Sequence, residues 1–414
     1  PTGTRTVKRS LHNIIRTIYL MGFCLNFMVV LPVFVPLLQG HGLYMSQVLQ
    51  TQALFALTIA LCEVPSGYFA DIWGRRPAIL LGAALNAVGF ASLLWADSFA
   101  DFVIYEVILG VGFSLISGAD LAMLYDTEVY LRKRGLPGGA GAGKSLSRLI
   151  SVEAAASGIA GITASLLLLQ SLDWVVIAQV FAGALPLLLA ISLVEVPRAP
   201  SEASHRDNMR QIVELLLFGK PVVLWTAFAI AVFGLLAVYV FWVYQKYWEL
   251  QAVPLEYFGY IWAGFALAIS LSARFAPALE SRLGTRALLF LIAVLPLAGL
   301  LGMALGSGWL GVMCGLLIQL SRGVSMSLFY EALNSRVPGD FRATVNSLVS
   351  LGVRAVFIVT GPALGYALDR FGMQSTLLGM LAVFAPLLGL VLVPLVIRIR
   401  REQRDAAADA IATG

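Results

Sequence analysis

The chain has 414 residues, 59% of them hydrophobic and 12% charged, and its 28 Lys and Arg against 23 Asp and Glu give a formal net charge of +5. So large an apolar share exceeds what one soluble core can bury, and it excludes disorder or a secreted disulfide scaffold. The basic excess is not a nucleic-acid surface, because those residues stand between apolar runs rather than together on one solvent face.

In chain order, apolar runs fall near 15–38, 46–69, 77–96, 102–124, 147–169, 174–194, 221–246, 255–279, 286–306, 309–332, 343–367 and 374–397. Each reaches the roughly 20 residues that an α-helix needs to cross a bilayer. The expectation is an all-α polytopic membrane protein of twelve transmembrane helices, packed through small residues as its 39 glycines suggest. With the N-terminus cytoplasmic, 23 of the 28 basic residues fall on the cytoplasmic side and the opposite loops keep only Lys246 and Arg370. The positive-inside rule then predicts cytoplasmic N- and C-termini in a multi-pass inner (plasma) membrane protein.

The polar stretch 196–220 carries two early prolines and a short amphipathic segment at 207–218, and it reads as a linker. The expected organisation is an N-terminal six-helix half at 1–195, the linker at 196–220, a C-terminal six-helix half at 221–400 and a cytoplasmic tail at 401–414. An internal repeat supports the two halves. Gly74-Arg75-Arg76 after the second run is echoed by Gly284-Thr285-Arg286 after the eighth, at an offset of 210 residues, and again by Asp369-Arg370-Phe371-Gly372 after the eleventh. Cys24, Cys62 and Cys314 lie inside apolar runs, and His12, His41 and His205 lie outside them. Neither residue type has metal-ligand spacing, so no metal and no cofactor are expected.

The loop Gly67-Tyr68-Phe69-Ala70-Asp71-Ile72-Trp73-Gly74-Arg75-Arg76 resembles the signature between the second and third of twelve spans in the major facilitator superfamily (MFS), with Ile72 in place of a basic residue. The resemblance implies the MFS fold and a conformational latch made of Gly67, Asp71, Gly74, Arg75 and Arg76. Gly67 would let two helices approach closely, and Asp71 would sit at a helix N-terminus near Asp340–Ala343, where the macrodipole favours an anion. Arg75 and Arg76 would pair with Asp126 or Glu128. Two other family signatures are incomplete: Glu106 stands where the fourth span carries an arginine four residues before Gly110, and the glycine pair Gly158 and Gly161 of the fifth span lacks its proline.

Gly138 to Ser145 satisfies the phosphate-loop pattern G-x-x-x-x-G-K-[ST], but the segment follows a membrane run and not a sheet strand. Nucleotide binding there is a remote alternative. Charges within the runs carry more information, since each costs at least about 2.5 to 3.5 kcal/mol at the bilayer centre and needs a cavity or a partner. Arg322 and Arg354 fall near the midplane. Helical spacing places Gln319, Arg322, Met326 and Tyr330 on one stripe and Ser347, Ser350 and Arg354 on another. Tyr19 and Asn26 share a face of the first run, as do Tyr239 and Trp242 of the seventh. These residues are the substrate-binding candidates, and paired guanidinium groups select carboxylate or phosphate.

The proton-coupling candidates are Asp120, Glu153 and Glu106, the last expected to be wet because it lies about five residues from the outer face. The expected function is secondary transport, without enzyme activity, of a small anionic or zwitterionic organic solute. Alternating access by a monomer and proton-coupled efflux are its leading form, with an uncoupled uniporter or an importer of organic anions as the alternative. The partners are the solute, protons and the lipid bilayer.

Overall fold

A computed structural model describes residues 2–133, 142–195, 221–338 and 341–413. Every regular element among them is a helix, which satisfies its backbone polar groups internally where a bilayer core offers no water. The elements are α1 (Thr2–Asn26), a 3-10 turn (Leu31–Val33), α2 (Phe34–Gly40), α3 (Met45–Trp73), α4 (Arg75–Ser92), α5 (Phe99–Ser117) and α6 (Ala119–Lys133). They continue with α7 (Ala142–Leu168), α8 (Leu172–Ile191), α9 (Pro221–Leu250), a 3-10 turn (Leu255–Tyr257), α10 (Phe258–Leu305), α11 (Gly308–Arg336) and α12 (Arg342–Thr413). The expected linker and its amphipathic segment lie outside the described residues.

Nine helical segments among the described residues are long and apolar enough to cross a membrane. The twelve runs map onto fewer segments because Leu255–Leu305 and Thr344–Glu402, 51 and 59 residues long, each take up two of them. Helix α4, 18 residues, lies outside the nine. Each of the two long helices is divided by a single glycine, Gly284 in α10 and Gly372 in α12.

The internal repeat becomes a conformational repeat at this level. Gly74 has φ 110° and ψ 154°, Gly284 φ 79° and ψ 152°, and Gly372 φ 76° and ψ 173°. That corner of backbone space is open essentially to glycine alone. The three echoed motifs thus end one helix and begin the next by the same one-residue device.

The described residues form two compact units. One holds the residues up to Glu195 together with Pro254–Ala266; the other holds Pro221–Val253 and everything from Leu267 on. The core of the first gathers Ile14, Ile18 and Met21 of α1 with Ala78, Ile79, Ile116, Met123 and Leu149. The core of the second gathers Val222, Ile230 and Phe233 of α9 with Leu288, Ile292, Phe329, Val345, Leu388 and Leu392.

Small residues set the closest helix approaches in the first unit. A Cβ on Gly82 would stand 2.7 Å from the Gly112 carbonyl oxygen, so α4 and α5 meet backbone to backbone. Gly110 faces the other way, 2.8 Å from the Thr58 side chain of α3. Gly110 and Gly112 of the fourth run therefore serve two different neighbours. Gly67 makes no such approach among the described residues: it is exposed, and a Cβ there meets nothing within 4 Å. The close approach expected at Gly67 is not met among the described residues, and Gly74, held by its φ, is the conformationally constrained glycine of that loop.

Candidate functional site

In the second unit, α11 is pinned on one side and open on the other. A Cβ on Gly323 would lie 2.0 Å from Ser272 Oγ and 2.3 Å from the Ile269 carbonyl oxygen, and the Ser321 hydroxyl donates to Ile292 O at 2.6 Å. Both contacts bind α11 to α10. Arg322 is halfway along α11 and faces a cavity of about 200 Å³ between α9, α11 and α12. Ser325, Met326 and Tyr330 of α11 line it with Arg322, Phe233 and Gly234 come from α9, and Ser350 comes from α12. Phe233 and Phe329 meet at 5.4 Å between ring centroids and form an apolar wall. Gly234 lets α9 approach α12, where a Cβ would be 3.3 Å from Val353.

No carboxylate among the described residues lies within ion-pair distance of Arg322. Its electrostatic neighbour is Tyr244 of α9, a residue the stripe argument missed, which is 2% exposed and donates its hydroxyl to Gly315 O at 2.9 Å. Arg322 is thus a guanidinium within an apolar helix, beside open volume and with no carboxylate in ion-pair distance among the described residues.

The structure brings together Arg322, Tyr330 and Ser350 of the substrate candidates. Gln319 shares their stripe but is 7% exposed and does not line the cavity, and Arg354, half-buried, is also absent from its lining. Tyr239 instead donates to Thr360 Oγ1, packs on Phe384 at 5.9 Å and lines a second cavity of about 410 Å³ with Leu364, Thr376 and Met380. Trp242 stands edge-on to Phe241 at 4.8 Å. Tyr19 packs on the core of the first unit, and Asn26 donates to Gly22 O within its own helix at 3.0 Å.

The acids of the first unit divide into two sets. Glu106 is not wet: it is 3% exposed and accepts a hydrogen bond from Gln52 Nε2 of α3. Sequence position alone puts it near the outer face, but a glutamine from a neighbouring helix covers it. Asp120, in the first turn of α6, accepts from the Leu121 amide at 2.6 Å and is in electrostatic reach of Glu153 on α7. Glu153 in turn lies against α1, where a Cβ on Gly22 would be 3.5 Å from its Oε1. Asp120 and Glu153 are thus electrostatic neighbours, while Glu106 is engaged with Gln52.

At the Gly74 turn, Arg75 of α4 makes an ion pair with Asp126 of α6, the two side chains being 17% and 22% exposed. Arg76 departs from its expected partners. Its Nε donates to Leu193 O at 2.6 Å and its Nη2 to Ile191 O at 3.4 Å, which sets a cation at the C-terminus of α8. Glu128 accepts from the Ser145 hydroxyl. The missing acid is Glu195, which accepts from the backbone amides of Arg75 at 3.0 Å and Arg76 at 2.8 Å and so caps α4. Asp71 is exposed, and Asp340, at the helix start expected to hold it, lies outside the described residues. The Arg75–Asp126 pair should show a coupling energy on the order of 1 kcal/mol in a double-mutant cycle of Arg75→Gln and Asp126→Asn, read from thermal unfolding. Strict additivity would reduce it to a surface contact.

Part of the phosphate-loop pattern, 138–141, lies outside the described residues. Lys144 is exposed, the neighbouring Ser145 hydroxyl is spent on Glu128, and no strand occurs among the described residues. The described residues on either side of that part are helical, α6 ending at Lys133 and α7 beginning at Ala142, whereas a phosphate loop follows a strand.

Comparison with known proteins agrees with this architecture. Among solved structures, a mutant of the nucleoside transporter NupG superposes with a TM-score of 0.71 at 13% identity, covering 94% of this chain and 99% of that one. An auto-inhibited POT family peptide transporter gives 0.69 at 14%, covering 95% and 97%. A bacterial homolog of the human lysosomal transporter Spinster, inward-facing and unoccupied, gives 0.67 at 15%, covering 94% of each chain. No curated protein matches by sequence. Over residues 17–362 the sequence matches the Major Facilitator Superfamily, and the chain is a multi-pass membrane protein that belongs to that family.

Proposed function

We propose that this protein is a secondary active transporter of a small organic anion or zwitterion, working as a monomer by alternating access of the halves 1–195 and 221–400 joined by the linker 196–220. The observation that carries the reading is Arg322, halfway along its helix, facing a cavity and with no carboxylate in ion-pair distance among the described residues. The solute's carboxylate or phosphate binds the guanidinium, Tyr330 and Ser350 supply hydrogen bonds, and Phe233 and Phe329 take its apolar part. A volume of about 200 Å³ lies below the roughly 300–1,000 Å³ usual for drug-sized ligands, which favours a small solute. In the inner membrane the termini face the cytoplasm, by the charge bias of the loops.

The acidic pair Asp120–Glu153 is the proposed proton carrier for efflux. Two carboxylates in electrostatic contact resist carrying two charges, so a proton shared between them is gained or lost as their access to water changes. In proteoliposomes with an imposed pH gradient, Asp120→Asn or Glu153→Gln should abolish gradient-driven transport while solute exchange continues. If both variants keep full gradient-driven transport, the pair is not the carrier. A wild type indifferent to the gradient makes the protein a uniporter.

A further inference from the structure

A second feature of unit 2 stands away from the Arg322 cavity. At the start of the second part of α10, where Gly284 turns the chain, an open cavity of about 370 Å³ is lined by Gly284, Thr285 and Arg286 on one side and by Val396, Ile399 and Arg400 of α12 on the other. Leu283 and Leu289 complete the lining. Arg286 and Arg400 are exposed, and neither has an ion-pair partner among the described residues. The nearby acids are already engaged: Glu280 accepts from the Thr285 hydroxyl at 2.8 Å, and Glu402 accepts from Arg336 at 3.0 Å.

Each guanidinium ends an apolar stripe. Phe290, one helical turn from Arg286, is 71% exposed, while Ile397 and Val393, one and two turns before Arg400, are 45% and 58% exposed. In a membrane protein such side chains face acyl chains, and arginines at the end of the stripe stand at headgroup depth. Two cations line this recess together with the apolar Leu289 and Val396. The charge calls for an anion and the stripes call for hydrocarbon, a combination that one molecule of the surrounding bilayer supplies.

We propose that this cavity seats an anionic phospholipid, with its phosphate between Arg286 and Arg400 and an acyl chain along Phe290, Val393 and Ile397. Native mass spectrometry of the full chain in detergent, titrated with phosphatidylglycerol and phosphatidylcholine of equal chain length, tests it. Wild type should retain phosphatidylglycerol preferentially, and the preference should fall roughly tenfold in Arg286→Gln/Arg400→Gln. Arg401→Gln/Arg404→Gln removes the same charge from exposed arginines outside the cavity and should keep the preference. If the paired variant fails to fold, Arg400→Gln alone should show an intermediate loss.

Equal retention of both lipids by wild type overturns the proposal, as does full preference in the cavity variant or equal loss in the control. Millimolar inorganic phosphate raising the unfolding temperature of lipid-free protein as much as phosphatidylglycerol does would assign the site to free phosphate and overturn the lipid reading.

Discussion

Replacing Arg322 by Ala should weaken an anionic ligand at least about a hundredfold, on the order of 3 kcal/mol, because the anion loses its charged partner in a water-poor cavity. A neutral analogue of the same shape should lose less than about threefold, since it never drew on the full charge. Arg322→Lys should fall between, keeping the charge but losing the planar two-point fork. The apo protein offers an independent reading. Among the described residues Arg322 has no carboxylate to leave stranded, so removing it relieves a mid-membrane charge and should leave the unfolding temperature unchanged or higher. Binding measured by calorimetry and unfolding followed in detergent separate the outcomes: equal loss of both ligands with a destabilised apo protein would make Arg322 a structural residue.

The second large effect is expected at a helix crossing within the first unit. A Cβ on Gly259, at the start of α10, would stand 1.9 Å from the Gly161 carbonyl oxygen and 2.6 Å from Ser165 Oγ, the same hydroxyl that accepts from the Tyr260 amide at 2.9 Å. Neither obstacle is a flexible side-chain tip that can move aside. Gly259→Ala should therefore separate α7 from the start of α10, break the Ser165 bond and destabilise the unit by about 1 to 3 kcal/mol. Gly161→Ala, whose Cβ would be 2.7 Å from Gly259 O, should act in the same direction. Gly158→Ala is the matched control, because a Cβ there meets nothing within 4 Å among the described residues. Thermal unfolding of the three variants decides it, and equal midpoints would show that the crossing relaxes freely.

That comparison also shows what the amino-acid order could and could not disclose. Gly158 and Gly161 look alike in the fifth run, yet only Gly161 is pressed by a neighbour, and the neighbour comes from a helix about a hundred residues on. The three helix-joining glycines were legible because each requirement is local: one residue must leave the helix without a side chain, and Gly74, Gly284 and Gly372 recur in echoed contexts. Arg322, Tyr330 and Ser350 were legible through helical spacing, which fixes the face each shares with its own helix. Spacing does not say which residue of a stripe reaches open volume, so Gln319 fell beside the cavity and Tyr244 went unnoticed on another helix. Glu195 was hidden for the same reason. Its partners are the amides of Arg75 and Arg76, about 120 residues away, and nothing around position 195 marks it as a cap.

The one-residue joints bear on how the chain enters the bilayer. Leu255–Leu305 and Thr344–Glu402 hold 51 and 59 residues with a single non-helical residue inside each. At a synthesis rate of roughly 5–20 residues per second, the leading arm of each emerges seconds before the trailing arm can follow it. With no slack between them, the position taken by the first arm dictates that of the second, and each long helix is delivered as one insertion unit. A polar insertion at Gly284 or Gly372 would supply that slack, and its earliest consequence would be misplacement during biogenesis, before any question of transport arose.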